Sequence, residues 1–155
     1  MEEEDLNYSY SDNTDKIFEV HEPNEFYNEK RDFTTLEAWR NCREVKLFFY
    51  NKILPLLPSI EKFNLDIQIR KAIVSTTANI AEGYGRYHYQ EGIQFYRISR
   101  GSLYELKDHL LSCFDFKYID NEAKDLGEKL IETAKITLNG FINFVKSKIE
   151  QGKQK

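Results

Sequence analysis

Hydrophobic residues recur every three or four positions along most of the chain, which is the spacing of helices that bury one face. The first such stretch begins at Thr34, which has the spacing of a capping box with Glu37. It is expected to stop at Pro55 and Pro58, because proline cannot continue a helix. Its apolar positions are Leu36, Trp39, Cys42, Val45, Phe48, Phe49 and Ile53.

The second predicted helix begins after Asn64, a favourable N-cap residue. Gly83 and Gly85 are expected to end it, because glycine readily adopts the left-handed conformation at a helix C-terminus. The third helix is predicted from about Tyr89 to Phe114. The buried positions expected in these two helices are Ile69, Ile73, Thr76, Ile80, Tyr96, Ser99, Leu103, Leu106, Leu110 and Cys113.

The fourth predicted helix begins after Asp120 and carries two apolar stripes, although one stripe is enough to close a bundle. The second stripe indicates either a surface for self-association or an unusually deeply buried helix, and the pattern leaves both open. The bundle-facing stripe comprises Leu126, Leu130, Thr133, Thr137, Phe141, Phe144 and Lys148. The candidate interface stripe comprises Ile131, Leu138, Ile142, Val145 and Ile149.

These elements predict an all-α protein, an up-down-up-down antiparallel four-helix bundle. Only 7 Gly and 3 Pro occur in 155 residues, which argues against sandwiches and barrels with their many turns. The bundle is expected over residues 33–150, with a C-terminal tail over residues 151–155. Residues 1–32 are polar and acidic, and we expect them to form a flexible arm.

The net charge of −4 is unevenly placed along the chain. Residues 1–32 contain eleven acidic and three basic side chains, a net charge of −8. The remaining residues contain 19 basic and 15 acidic side chains, a net charge of +4. The whole-chain figure therefore hides a mildly basic body behind an acidic arm.

The sequence shows little that predicts catalysis. Cys42 and Cys113 lack the spacing of a metal site and are expected to be buried, reduced thiols. Glu105 and His109 are four residues apart, whereas di-iron bundles use a Glu-x-x-His spacing. Ser102 follows Gly101 within a predicted helix, which favours close helix packing over a nucleophile. No enzymatic activity, metal or cofactor is expected.

The compartment is also predicted from absences in the sequence. The first residues lack the basic and apolar regions of a secretory signal. No apolar run approaches the roughly 18 residues of a membrane span. We therefore expect a cytoplasmic protein with no membrane partner.

An ordered series of residues in helices 2 and 3 resembles a known family. The series is Gln68-Ile69-Arg70-Lys71-Ala72, Val74-Ser75, Ala78-Asn79-Ile80-Ala81-Glu82-Gly83, Gly85-Arg86, Phe95, and Gly101-Ser102-Leu103-x-Glu105-Leu106. It resembles the four-helix-bundle proteins encoded by intervening sequences in bacterial 23S rRNA genes. A related branch is the accessory variability protein of diversity-generating retroelements.

The resemblance implies an all-α bundle that often assembles as a ring-like homopentamer. Its retroelement branch implies a basic surface that binds nucleic acid and a reverse transcriptase. The chain departs from the family pattern at Thr76-Thr77, where Ile-Pro is usual. Without that proline, helix 2 is expected to be straighter.

Basic and aromatic side chains around helices 2 and 3 form the candidate nucleic-acid site. Cations there would contact phosphates, and exposed rings would stack on bases. The candidates are Arg70, Lys71, Arg86, Arg97, Arg100, Tyr84 and Tyr87, with Tyr89 close by. Glu82 and Glu105 are expected to form ion pairs that hold these arginines. Alternatively, the basic groups pair internally and the tyrosines cover the bundle end.

Two functions follow from this sequence. The first is a non-enzymatic, self-associating helical protein that binds RNA, single-stranded DNA or a protein–nucleic acid complex such as a reverse transcriptase. The second is a protein-interaction adaptor with no nucleic-acid binding.

The turn at Gly83–Arg86 follows a helix, so it is predicted to be a helix end and not a phosphate-binding loop.

Overall fold

The computed structural model describes residues 32–152, and long helices account for most of that range. These helices are α1 (Glu37–Phe48), α2 (Leu65–Gly85), α3 (Tyr89–Asp115) and α4 (Asn121–Gly152). The predicted all-α four-helix fold is confirmed. The acidic arm lies outside the described residues, except for Asp32.

Each long helix packs against two others, so the four helices close into a ring in chain order. Neighbouring helices run in opposite directions. Ser75 in α2 lies beside Ser102 in α3, whereas Gly83 further along α2 lies beside Gly92 near the start of α3. The α1–α4 contact shows the same direction in two pairs, Asn41 with Thr137 and Phe48 with Gly127. This packing is compatible with the predicted up-down-up-down order.

The start of α1 differs from the predicted capping box. Residues Phe33–Thr35 form a 3₁₀ turn capped by Asp32, whose Oδ2 accepts a hydrogen bond from the Thr34 hydroxyl at 3.1 Å. Leu36 then stands at the N-cap of α1 without a side-chain cap bond. The prediction of a Thr34–Glu37 box is wrong, because a carboxylate two residues earlier takes the hydroxyl.

The first helix ends at the prolines, as the sequence predicts. Beyond Phe48 it widens into a π-helical segment, Phe49–Ile53, and then tightens into a 3₁₀ turn, Leu54–Leu56. Pro55 lies inside that turn and lacks the backbone N–H that a further α-helical turn requires.

The glycines near the end of α2 do not have the role that the sequence predicts. Helix α2 ends at Gly85, where the sequence predicts, but neither Gly83 nor Gly85 is left-handed, and the left-handed residue after the helix is Tyr87, with φ of 53°. A Cβ at Gly83 would lie 2.7 Å from Cε1 of Tyr96 and 2.9 Å from the carbonyl oxygen of Gly92. Gly83 is therefore required by the close crossing of α2 and α3 and not by a helix cap.

Helix α2 continues unbroken through the two threonines that distinguish the chain from its family pattern. The Thr76 hydroxyl donates to the carbonyl oxygen of Ile73 at 2.9 Å. The carbonyl oxygen of Thr76 in turn accepts the Ser99 hydroxyl of α3 at 2.6 Å. The threonine position therefore joins two helices through polar groups inside the core.

The second apolar stripe of α4, and not the first, forms the main core face of the helix, while Leu130 and Phe141 of the first stripe are partly buried at its edge. Leu126 and Phe144 of the expected bundle-facing stripe are exposed. The candidate interface residues lie in the core instead, with Ile149 half-buried against it: Ile131, Leu138, Ile142, Val145 and Ile149. Of the two interpretations that the sequence leaves open, these positions fit the deeply buried helix and not the interface between copies, because α1 and α3 already cover them within one chain.

Candidate nucleic-acid interface

Arg70 is neutralised within α2. Its Nε lies 2.6 Å from Oδ1 of Asp66, and a second guanidinium nitrogen lies 3.2 Å from Oδ2. The guanidinium carbon also lies 5.1 Å from the centre of the Tyr50 ring. The hydrogen bonds that Arg70 donates to Asp66 raise the pKa of Arg70. A phosphate would have to compete with a bidentate carboxylate for this side chain.

Arg86 is similarly occupied at the turn between α2 and α3. It lies 2.7 Å from the carboxylate of Glu82 and 3.3 Å from that of Glu91, and its guanidinium carbon is 5.1 Å from the Phe95 ring centre. The hydrogen bond that Arg86 donates to Glu82 raises the pKa of Arg86. Glu82 thus makes the kind of ion pair that the sequence suggests, and it leaves Arg86 little net charge for a ligand.

The tyrosines near Arg86 differ in exposure. Tyr84 is only 6% exposed, so its ring packs within the fold and presents no face to a base. Tyr87 is 63% exposed in its left-handed turn, and Tyr89 packs partly buried against the core. Among these three candidates, Tyr87 has the ring most open to solvent.

Arg97 lies in a different setting, beside a shallow groove between α3 and α4. The groove has a volume of about 190 Å³. Its lining residues are Gln90, Ile93, Gln94, Arg97, Lys146, Ile149 and Glu150. Within the described part of the chain, neither Arg97 nor Lys146 forms an ion pair. Two cations therefore meet at one groove with a single carboxylate, Glu150, beside them.

Arg100 extends this basic surface along α3. Its guanidinium donates to Oδ1 of Asn139 in α4 at 2.9 Å. Because the amide is neutral, the side chain is positioned while its positive charge is retained. We call Arg97, Arg100 and Lys146 the basic seam.

Two lysines of α4, Lys135 and Lys146, were not among the residues that the sequence predicts for this surface. Lys135 is nearly buried, 2.8 Å from Glu132 and 4.4 Å from the ring centre of Tyr104. Lys135, Asn139 and Lys146 are spaced four and seven residues apart, which places them on one side of a helix. That spacing is a signal which could have identified Lys146 from the sequence.

The remaining sequence candidates do not join the basic seam. Lys71 is exposed on α2, which is not one of the two helices that line the groove. Glu105 lies 3.6 Å from His109 on its own helix instead of holding an arginine. The basic cluster that the sequence predicts is therefore divided in the structure. Arg70 and Arg86 are paired with carboxylates, and Lys71 lies apart on α2. Arg97 and Arg100 belong to the basic seam.

The cysteines and histidines add no reactive centre to this surface. Cys42 and Cys113 are buried, as predicted. Burial raises the pKa of the Cys42 thiol to about 12 and that of Cys113 to about 11, so both stay protonated near neutral pH. Among residues 32–152 there is no group of three or more side chains suited to hold a metal ion.

No helix in the described range is both long enough and apolar enough to cross a membrane.

Comparison with protein families places the chain beside a known one. The family described as 23S rRNA-intervening sequence protein matches residues 34–140. The matched range includes α1, α2, α3 and much of α4, and Lys146 of the basic seam follows it. No curated protein matches the chain.

Proposed function

This chain belongs to the 23S rRNA-intervening sequence protein family, and on that premise we propose that it is a non-enzymatic protein that binds the phosphates of RNA or single-stranded DNA. The observation that supports the proposal is the basic seam, where Arg97 and Lys146 line a groove without a carboxylate partner and Arg100, one turn further along α3, bonds only to a neutral amide. Paired arginines elsewhere on the surface lack this property.

The chemistry of the groove suits a phosphate backbone. Arg97 and Lys146 supply cations, and the amide groups of Gln90 and Gln94 can donate hydrogen bonds. Contacts of this kind position a nucleic acid without reading its sequence. Tyr87 lies near the same end of α3 and offers an exposed ring for stacking. Binding is therefore expected to depend on charge more than on base sequence.

Self-association is part of the proposal. The surplus positive charge of one bundle is small, and several copies on one particle would present several basic seams to one strand. The family resemblance suggests a homopentamer, and its retroelement branch suggests a reverse transcriptase as a protein partner. Size-exclusion chromatography with light scattering would count the copies.

Salt dependence tests the proposed binding directly. Fluorescence anisotropy would measure the affinity of the full chain for single-stranded RNA and DNA oligonucleotides. If the basic seam neutralises three phosphates, affinity is expected to fall roughly 20-fold between about 50 and 200 mM salt, at about 0.7 of slope per contact. Absence of binding, or binding that does not respond to salt, would contradict the proposal.

A pair of charge-matched variants locates the binding surface. Arg97→Gln with Lys146→Gln is expected to lower the salt slope from about 2 to about 0.7. The control is Arg70→Gln with Arg86→Gln, which removes the same charge from side chains already paired with carboxylates. Equal losses in both variants would show a diffuse charge effect and would reject the basic seam as the site.

A second function, that of a protein-interaction adaptor, is favoured by the opposite end of the bundle. There the turn before α2 and the turn before α4 are joined by the Tyr118 hydroxyl, which donates to Oε1 of Glu61 at 3.0 Å. Exposed apolar side chains stand on these turns, namely Leu56, Ile60, Phe63 and Phe116. Such a patch is typical of partner surfaces. A partner that binds here while oligonucleotides do not bind would favour the adaptor.

A further inference from the structure

The groove between α3 and α4 has an apolar side as well as a charged one. Ile93 lies buried at the floor of the groove, and the half-buried Ile149 offers apolar surface to an occupant. Arg97 and Lys146 provide positive charge at the same groove. A matching ligand would combine carboxylates with large apolar side chains over a short length.

One segment of this chain has that composition. Residues 19–29 contain four glutamates, no lysine and no arginine. The same residues include Val20, Phe26 and Tyr27. Glu25 and Glu29 flank the aromatic pair, so a cation can be met on either side of the rings.

The described chain begins at the end of the bundle that holds the groove. Asn41 of α1 lies beside Thr137 of α4, and α1 runs antiparallel to α4. Asp32, at the start of the chain that the structure describes, therefore lies toward the C-terminal part of α4, where Lys146 and Ile149 are found. Asp32 follows Phe26 by six positions, a stretch that can extend about 20 Å and is enough to pass one helix of about 10 Å diameter.

We propose that residues 19–29 dock in the groove between α3 and α4 of their own chain. Phe26 and Tyr27 cover Ile93 and Ile149, and the flanking glutamates pair with the basic seam. Docking covers the proposed phosphate contacts, so the acidic segment competes with nucleic acid for one surface. The docking itself does not depend on nucleic-acid binding.

The bundle end with Leu56, Ile60, Phe63 and Phe116 is a less suitable place for this segment. Its neighbourhood combines acidic side chains, among them Glu61, Asp115 and Asp120, with basic ones, among them Lys62, Lys117 and Lys124. Glutamates brought there would meet charges of both signs, whereas the groove offers two cations beside one carboxylate. Charge complementarity therefore selects the groove over the apolar end.

Photo-cross-linking of the full chain tests the docking. A benzophenone side chain in place of Tyr27 is expected to react with the peptides that contain Ile93 or Ile149, identified by mass spectrometry. The same group in place of Tyr8 serves as the control and is expected to react there far less. A mixture of isotope-labelled and unlabelled chains separates reaction within one chain from reaction between two. Cross-links elsewhere, or only between chains, would overturn the proposal.

Exchanging the charges of the groove and of the acidic segment tests the proposed ion pairing between them. Arg97→Glu with Lys146→Glu is expected to reduce the groove cross-link severalfold, and adding Glu25→Lys with Glu29→Lys is expected to restore it. All four positions belong to the arm or to the bundle surface, and circular dichroism checks that the helices persist. Failure of the exchange to restore the cross-link would reject the proposed pairing.

Measurements of oligonucleotide affinity distinguish the docking proposal from the proposed function. Glu25→Gln with Glu29→Gln is expected to raise oligonucleotide affinity severalfold. If oligonucleotides never bind but the cross-link and its rescue occur, docking stands and the proposed function fails. If oligonucleotides bind but the cross-link misses the groove, docking alone fails.

Discussion

Arg70 and Arg97 illustrate how much the role of a residue depends on its neighbours. Both are exposed arginines on helices. Asp66, one turn before Arg70, holds it in a bidentate pair, whereas no carboxylate lies one turn before or after Arg97. This difference was readable in the sequence at i,i+4 spacing. The groove at Arg97 was not, because it depends on α4.

Gly83 supports a prediction at the residue scale. Gly83→Ala places a Cβ 2.7 Å from Tyr96 and 2.9 Å from a backbone oxygen of α3. Overpacking of this kind is expected to lower the free energy of unfolding by about 1–3 kcal/mol. Urea denaturation of both proteins would measure the difference.

Gly101 provides the matched control for this substitution. A Cβ there meets no atom within 4 Å, so Gly101→Ala is expected to raise the free energy of unfolding by about 0.5–1 kcal/mol through better helix propensity. Effects of the same sign at Gly83 and Gly101 would show that the crossing is looser than the structure indicates.

At the scale of elements, the start of α2 is stabilised by a residue from the preceding turn. Asn64 occupies the N-cap position, as predicted, but makes no side-chain cap bond. Oε2 of Glu61 accepts instead from the backbone N–H of Leu65 at 3.3 Å, while Oε1 accepts from Tyr118. One carboxylate thus links α2 to the turn between α3 and α4.

This link predicts a dependence of stability on pH. The hydrogen bond from Tyr118 lowers the pKa of Glu61 below its usual 4.5. The contribution of Glu61 is therefore present above about pH 4.5 and is lost as pH falls through the lowered pKa. Glu61→Gln is expected to lower the urea midpoint near pH 7 and to have almost no effect near pH 3.

Glu44→Gln controls for the loss of one exposed carboxylate. Glu44 has only a 3.7 Å contact with Arg43, so its substitution is expected to change the urea midpoint little at either pH. A Glu61→Gln effect that persists undiminished at low pH would contradict the proposed link.

At the scale of the whole molecule, α4 divides its apolar residues between the inside and the surface. Leu138 is fully buried, whereas Ile136, two residues earlier, is 63% exposed. The fourth helix is therefore central to the fold of one chain. An interface between copies, if α4 contributes to one, must use its exposed side chains.

Substitutions at these two positions separate folding from association. Leu138→Ala is expected to lower the free energy of unfolding by about 2–5 kcal/mol because it leaves a cavity in the core. Ile136→Ala is expected to change it by less than about 0.5 kcal/mol. Urea denaturation measures both. A small loss at Leu138, accompanied by dissociation of an oligomer in light scattering, would restore the interface interpretation.

The sequence by itself determined the four helices and most of their boundaries. Helical periodicity, the stop at Pro55 and the cap at Asp120, whose Oδ1 accepts from the N–H of Ala123 at 2.8 Å, all depend on residues close together in the chain. Local patterns of this kind can be recognised without knowing how the helices pack. The family resemblance likewise depended on an ordered local series.

Only the tertiary structure decided which apolar stripe of α4 faces the core, why Gly83 must be glycine, and which cations share a groove. Both stripes contain large apolar side chains, and which of them faces the core depends on how α1 and α3 pack against α4. Gly83 is constrained by Tyr96 and Gly92 on another helix, and Arg97 meets Lys146 from a distant part of the chain. Each outcome depends on contacts between helices, which a single helix does not encode.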